Sequence, residues 1–119
     1  MRDFRKKEVW KKGHFFAIEI YKITQNFPKS ERFGITSQIR RASLSIPTNI
    51  VEGCTRFSKK EFANFINIAA GSAAEVEYLL EFSKEIDLRT LEQYTKPSSS
   101  IIEIRKMLNS LYRIIKNTK

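Results

Sequence analysis

Few side chains in this sequence combine the type and the spacing that chemistry needs. The nearest candidates are one histidine, one cysteine and two sets of polar residues at helical intervals. His14 has Lys11 three residues before it, so the Glu-x-x-His pattern of di-iron bundles is missing. Cys54 stands forty residues from that histidine with no partner pattern, which marks it as a structural thiol rather than a nucleophile. One histidine and one cysteine cannot complete a tetrahedral zinc site within a chain. Glu75 and Glu77 lie two residues apart and point to different faces of a helix, so they are no acid/base pair. Phosphate-cradling, dinucleotide-binding and nucleophile-elbow motifs are all absent. The expectation is a protein without enzymatic activity, metal or cofactor.

What polar pattern remains is periodic. Gln38, Arg41, Ser45, Asn49 and Glu52 follow one another at 3, 4, 4 and 3, and Glu61, Asn64, Ile68, Ser72 and Glu75 repeat the same intervals. Two readings fit. In the first, Gln38, Ser45, Asn49, Glu52, Ser72 and Glu75 form facing polar seams whose hydrogen bonds fix helix register or subunit contacts. In the second, the same face is a ligand or nucleic-acid groove served by Arg40, Arg41 and Arg56.

Charge supplies the other functional signal. The chain carries a formal net charge of +9, distributed as +4 over residues 1–27, +3 over 28–57, −3 over 58–88 and +5 over 89–119. One acidic segment in a basic protein suits a polyanion-binding surface, an acidic face that meets a basic one in an oligomer, or both. A solvated charge excess that serves solubility is the plain alternative. If the partner is RNA, the candidate phosphate contacts are Lys6, Lys7, Lys11, Lys12, Arg40, Arg41, Arg56, Arg105, Lys106, Arg113 and Lys116. Such contacts position a nucleic acid without reading its bases, so shape-dependent or weakly selective binding is expected. Most of the nine phenylalanines are assigned to the core, which leaves little for base stacking.

These residues must be carried on helices. Glycine and proline number only four and three in 119 residues, which leaves few turns. Val9, Gly13, Phe16, Ile20, Ile23 and Phe27 recur at alternating spacings of 4 and 3 and predict a first helix over Arg5–Asn26, stopped by Pro28. Ile35, Ile39, Ala42, Ile46, Ile50 and Gly53 predict a second, kinked at Pro47 and capped at its end by Gly53. Ser58-Lys-Lys-Glu61 is a capping box that opens a third helix, along which Phe62, Phe65, Ala69, Ala73, Val76, Leu80 and Ser83 form the stripe. The Gly71–Ala74 run of small residues offers a place for close helix approach. Thr90-Leu-Glu-Gln93 is a second capping box, opening a helix with the stripe Ile101, Ile104, Leu108, Leu111 and Ile115; Pro97 predicts a kink or break in it. Four long helices with short connections give one all-α domain over residues 1–119, an antiparallel up-down-up-down bundle.

The residues Trp10, Phe27-Pro28, Glu31, Phe33-Gly34, Gln38-Ile-Arg-Arg-Ala42, Ser45-Ile-Pro47, Asn49-Ile50, Glu52-Gly53, Arg56, Ser58, Glu61-Phe62, Ala69, Gly71-Ser72 and Glu75 together resemble a known family. It is the four-helix bundle proteins encoded in intervening sequences of bacterial 23S rRNA genes. The similarity spans roughly residues 4–117, with Phe33–Gly53 its most specific part. It implies a homopentameric bundle with a role around ribosomal RNA. Related bundles are accessory proteins of diversity-generating retroelements, in which a basic pentamer binds nucleic acid and a reverse transcriptase.

No apolar core of a signal peptide follows the N-terminal basic residues, and the longest uncharged stretch, Phe62–Ala74, is shorter than the roughly 20 residues a membrane span requires. Together with the single cysteine this predicts a cytoplasmic protein without membrane contact. Two functions are therefore carried forward. One is a basic oligomer that binds structured or ribosomal RNA. The other is an interaction scaffold, in which the acidic third helix with Tyr78, Leu79 and Phe82 meets a partner protein or a sister subunit.

Overall fold

The apolar stripes become helix faces in the computed structural model of the chain, which describes residues 2–88 and 92–118. The first helix, α1, spans Glu8–Thr24 and is shorter at both ends than its periodicity predicts. At its start, the Asp3 carboxylate accepts the Arg5 N–H at 3.1 Å and caps a separate 3-10 turn over Phe4–Lys6. Lys7 is extended, so the turn cannot run on into the helix. The turn is tied down instead: the Arg2 N–H donates to the Cys54 carbonyl at 3.2 Å, and Phe4 packs edge-on against Trp10 at 4.9 Å. At the other end the Thr24 hydroxyl returns to the Ile20 carbonyl at 2.7 Å, and the Phe27 N–H closes on Thr24.

The second helix, α2, spans Ile35–Cys54 and remains helical through Pro47. Proline removes the donor that the Ser43 carbonyl would receive. In the adjoining turn, the Thr48 hydroxyl and the Asn49 amide each donate at 2.8 Å to the carbonyls of Leu44 and Ser45. Gly53 differs from expectation. It does not cap the helix, since no glycine has a positive φ; the end is closed by Thr55, whose N–H and hydroxyl both reach the Glu52 carbonyl. What requires glycine there is proximity, because a Cβ on Gly53 would lie 2.9 Å from the Phe65 Cβ.

The third helix, α3, spans Lys59–Glu85, and its predicted cap is in place, with the Ser58 hydroxyl accepting the Glu61 N–H at 3.0 Å. It ends on Asp87 at φ 58, with Leu88 N–H bonded to the Ser83 carbonyl, the Schellman arrangement with aspartate where glycine is usual. Thr90 of the second capping box lies outside the described residues. The fourth helix, α4, spans Glu92–Asn117 without interruption. The break expected at Pro97 is absent: α4 runs through the proline, the sixth of its residues, whose ring is buried, and burial of the apolar face outweighs the one backbone donor lost.

The four helices pack as an antiparallel up-down-up-down bundle, α1 against α2, α2 against α3, α3 against α4, and α4 back against α1, in a rod of 48 × 21 × 20 Å. Every predicted stripe residue is buried or half-buried, and the buried apolar residues form one cluster. Gly13 lets α1 approach α2, since a Cβ there would meet Ile46 at 3.1 Å with the Pro47 ring behind it at 3.8 Å. The small-residue run in α3 divides. Ala73 is buried and Ser72 faces α2, whereas Gly71 and Ala74 are exposed and a Cβ on Gly71 would meet nothing.

The two glycines give opposite expectations. Gly71→Ala should stabilise by about 0.5–1 kcal/mol, the ordinary gain of removing glycine from a helix interior. Gly53→Ala should destabilise by about 1–3 kcal/mol through overpacking against Phe65. Urea unfolding of both variants checks the pair, and a loss of stability in Gly71→Ala would mean that another chain packs on that face.

Candidate functional site

The two polar stripes of α2 and α3 do face each other. Ser45 and Ser72 hydroxyls are 2.9 Å apart, the Asn49 amide donates to both the hydroxyl and the carbonyl of Ser45 at 2.8 Å, and Gln38 donates to Glu75 at 3.4 Å. Glu52 is exposed and stands outside this network. The seam is well bonded at Ser45, Ser72 and Asn49. It loosens toward Gln38 and Glu75, where 3.4 Å is a long bond between exposed groups. At that looser end it opens into a polar groove of about 500 Å³ bordered by Phe33, Ser37, Gln38, Arg41, Ser72 and Glu75.

The three arginines assigned to a groove have different surroundings. Arg40 turns toward α1: its Nε donates to the Thr24 hydroxyl at 2.7 Å, a terminal nitrogen reaches the Tyr21 carbonyl at 3.2 Å, and the guanidinium lies 4.7 Å from the Tyr21 ring. It therefore closes the C-terminal turn of α1, where a cation is favoured by the helix dipole. Arg56 lies 4.8 Å from the Phe65 ring, and its carbonyl accepts from Arg2 at 2.7 Å. Arg41 borders the groove, is exposed, and enters no hydrogen bond or ion pair among the described residues.

The other cationic candidates divide the same way. Arg105 is bound to Glu77 on α3 at 2.8 Å, and Lys12 to Glu103 on α4 at 3.0 Å, a pairing that raises the Lys12 pKa. Lys7 lies 5.8 Å from the Phe62 ring and Lys116 5.9 Å from that of Tyr112. Lys6, Lys11, Lys106 and Arg113 are exposed and enter no ion pair among the described residues. Between α1 and α4 runs a trough of two adjoining depressions, about 670 and 490 Å³, floored by Val9, Phe16, Ile104 and Leu111 and lined by Lys7, Lys11, Lys22, Lys96 and Lys106 together with Glu8, Glu19 and Glu103.

The aromatic expectation needs correction. Phe16, Phe27 and Phe62 are buried, but Phe33 is 90% exposed, Phe57 97%, Phe15 62% and Phe82 40%. None of these four occupies a stripe position, so the sign was present in the sequence: Phe33 and Phe57 sit in the connections and Phe15 beside the stripe. Leu79, assigned to an exposed apolar surface, is buried, while its neighbours Tyr78 and Phe82 are exposed with ring centroids 6.3 Å apart. His14 stacks on Trp10 at 4.9 Å. Cys54 is buried, and that burial raises its thiol pKa, which keeps it protonated at neutral pH. No group of three His, Cys, Asp or Glu residues that could hold a metal ion occurs among the described residues, and none of their helices is long and apolar enough to cross a membrane.

Comparison with known proteins bears on the whole bundle. The model of the 23S rRNA-intervening sequence protein family matches residues 5–110. A solved structure from Bacteroides thetaiotaomicron, of a protein with unknown function from the S23 ribosomal protein family, is 36% identical with a TM-score of 0.79, over 87% of this chain and 97% of that one. No curated protein matches.

Adjacent arginines in one helix should behave differently. Arg40→Ala should cost about 1.5–3 kcal/mol of stability, since it removes the charged hydrogen bonds to the Thr24 hydroxyl and the Tyr21 carbonyl. Arg41→Ala should stay within about 0.5 kcal/mol of the parent. Urea unfolding of the two variants measures the difference, and equal losses would mean that Arg41 is held by a contact with another chain.

Proposed function

Because the chain belongs to the 23S rRNA-intervening sequence protein family, we propose that it is a non-enzymatic, homo-oligomeric cytoplasmic bundle that binds structured RNA or ribonucleoprotein through basic residues of α1, α2 and α4. The observation that carries this reading is the division of the cations. Arg40, Arg105 and Lys12 are occupied by the fold, whereas Lys6, Lys11, Arg41, Lys106 and Arg113 stand exposed without an acidic partner among the described residues. A lone surface cation gains little from a solvated carboxylate nearby, but several held on one rigid rod can each displace a condensed counterion from a polyanion. The α1–α4 trough, in which Lys7, Lys11, Lys22, Lys96 and Lys106 outnumber Glu8, Glu19 and Glu103, supports the same reading. Its helices offer no base-reading element, so phosphate contact and shape supply the affinity.

A second reading is favoured by Tyr78 and Phe82. Two exposed aromatic rings on the acidic α3 are ill suited to RNA and well suited to a protein partner or a sister subunit. A retroelement accessory role, in which the bundle engages a reverse transcriptase, belongs to this second reading.

Titrating the purified oligomer with a structured RNA across a salt series tests the first reading. Log affinity should fall against log salt with a slope of about −3 to −5, as expected for roughly four to five displaced counterions. Replacing Lys11, Lys106 and Arg113 together by glutamine should flatten that slope by about 2 to 3. Absence of RNA binding at about 50 mM salt would overturn the reading, since electrostatic affinity is strongest there. A partner that stays bound after nuclease treatment, and is lost with Tyr78→Ser/Phe82→Ser, would support the second.

A further inference from the structure

The groove at the loose end of the α2–α3 seam has a composition that a purely structural seam does not need. A solvated phenyl ring, a carboxylate, a side-chain amide and an unpaired guanidinium border one space of about 500 Å³, within the range of small-molecule sites. Phe33 is 90% exposed at its edge. Gln38 and Glu75 meet at only 3.4 Å, so the amide keeps donors and the carboxylate keeps acceptors for a third group. Arg41 stands one turn along α2 from Gln38 with no partner among the described residues. The helix begins after Gly34, and its start is already faced by an anion, since a Cβ on Gly34 would lie 3.2 Å from the Glu31 carboxylate.

These features are arranged by sign. Glu75 repels an anion and favours a ligand that brings N–H donors, while Arg41 favours an anion. Phe33 offers a flat apolar face. A ligand that satisfies all three must carry a planar ring, donors on its edge and a negative charge at some distance from that edge. We propose that this groove holds a single unstacked nucleotide of an RNA strand, with its base on Phe33, the base edge at Gln38 and Glu75, and its phosphate at Arg41. The proposal rests on the RNA-binding reading and adds to it a local contact with single-stranded nucleotides, apart from the α1–α4 trough. The carboxylate also sets a preference. Adenine, with an exocyclic amine to donate, is favoured over uracil, which presents two carbonyl oxygens and a single N–H.

The test measures fluorescence anisotropy of labelled single-stranded oligoadenylate and oligouridylate, with an RNA hairpin as control, on the full-length chain. Oligoadenylate should bind more tightly than oligouridylate. Phe33→Ala should weaken it by about 5- to 100-fold, the usual effect of losing one base–aromatic stack. Arg41→Gln should weaken it and flatten its salt slope by about 0.7, one phosphate on a single strand. Glu75→Gln should narrow the difference between the two homopolymers. Hairpin binding should change little in Phe33→Ala. If both Phe33→Ala and Arg41→Gln bind oligoadenylate as the parent does, the groove proposal is overturned while RNA binding itself stands. If no RNA binds the parent chain, the broader reading fails, and calorimetric titration with AMP decides the groove: binding that Phe33→Ala abolishes supports it, and no binding overturns it. Size-exclusion chromatography accompanies each variant. A change of oligomeric state with Phe33→Ala would identify the groove as an interface between copies of the chain and overturn the proposal.

Discussion

The fold depends on how closely α2 can be approached from two sides. It is the inner helix of the first three, and its stripe of Ile35, Ile39, Ile46 and Ile50 is buried. A proline ring in the middle of a buried helix is bulky and removes a donor, so the neighbouring helix must give way. Gly13 does so, leaving α1 without a Cβ where Ile46 and Pro47 come nearest. At the far end the roles reverse: α2 supplies the glycine, Gly53, and α3 supplies Phe62 and Phe65. These two contacts fix the height of α1 and α3 against α2, and the polar seam can form only at that height. Were α3 displaced by one helical turn, about 5.4 Å, Ser72 would no longer meet Ser45.

That placement determines which polar groups remain available. Along the tight part of the seam Ser45, Ser72 and Asn49 satisfy one another. At the α1–α2 corner Arg40 is drawn into the end of α1. Glu77 and Glu103 take Arg105 and Lys12 across helix boundaries. Each of these interactions uses a charged or polar group for cohesion between helices. The groups that escape lie where α2 begins and along the outer edges of α1 and α4. The fold therefore partitions a strongly basic sequence into cations that hold the bundle and cations that face solvent, a division that net charge alone does not reveal.

Much of this architecture was legible in the residues. A 3-4 alternation of apolar side chains identifies a helix face directly, because burial of that face is what stabilises it, and all four stripes lie in the core. The family resemblance, carried mainly by Phe33–Gly53, agrees with the match over residues 5–110. Legibility failed where a few local bonds outweigh periodicity. The 3-10 turn at Phe4–Lys6 depends on the Asp3 cap and on Arg2 reaching Cys54, more than fifty residues away, which no pattern along the chain encodes. Gly53 reads as a helix end by type and is a contact residue by position. Pro97 reads as a break, yet α4 runs through it, held by the burial of its apolar face.

The same distinction governs the candidate sites. Spacing shows that Arg40 and Arg41 point in different directions, but not which direction is occupied; that depends on Thr24 and Tyr21, which belong to another helix. The phenylalanines show the converse. Counting aromatic residues suggests a core, whereas position relative to the stripes identifies Phe33 and Phe57 as rings left in water. An exposed phenyl ring forgoes the free energy of burial, so Phe33 and Phe57 add little to the core that holds the bundle.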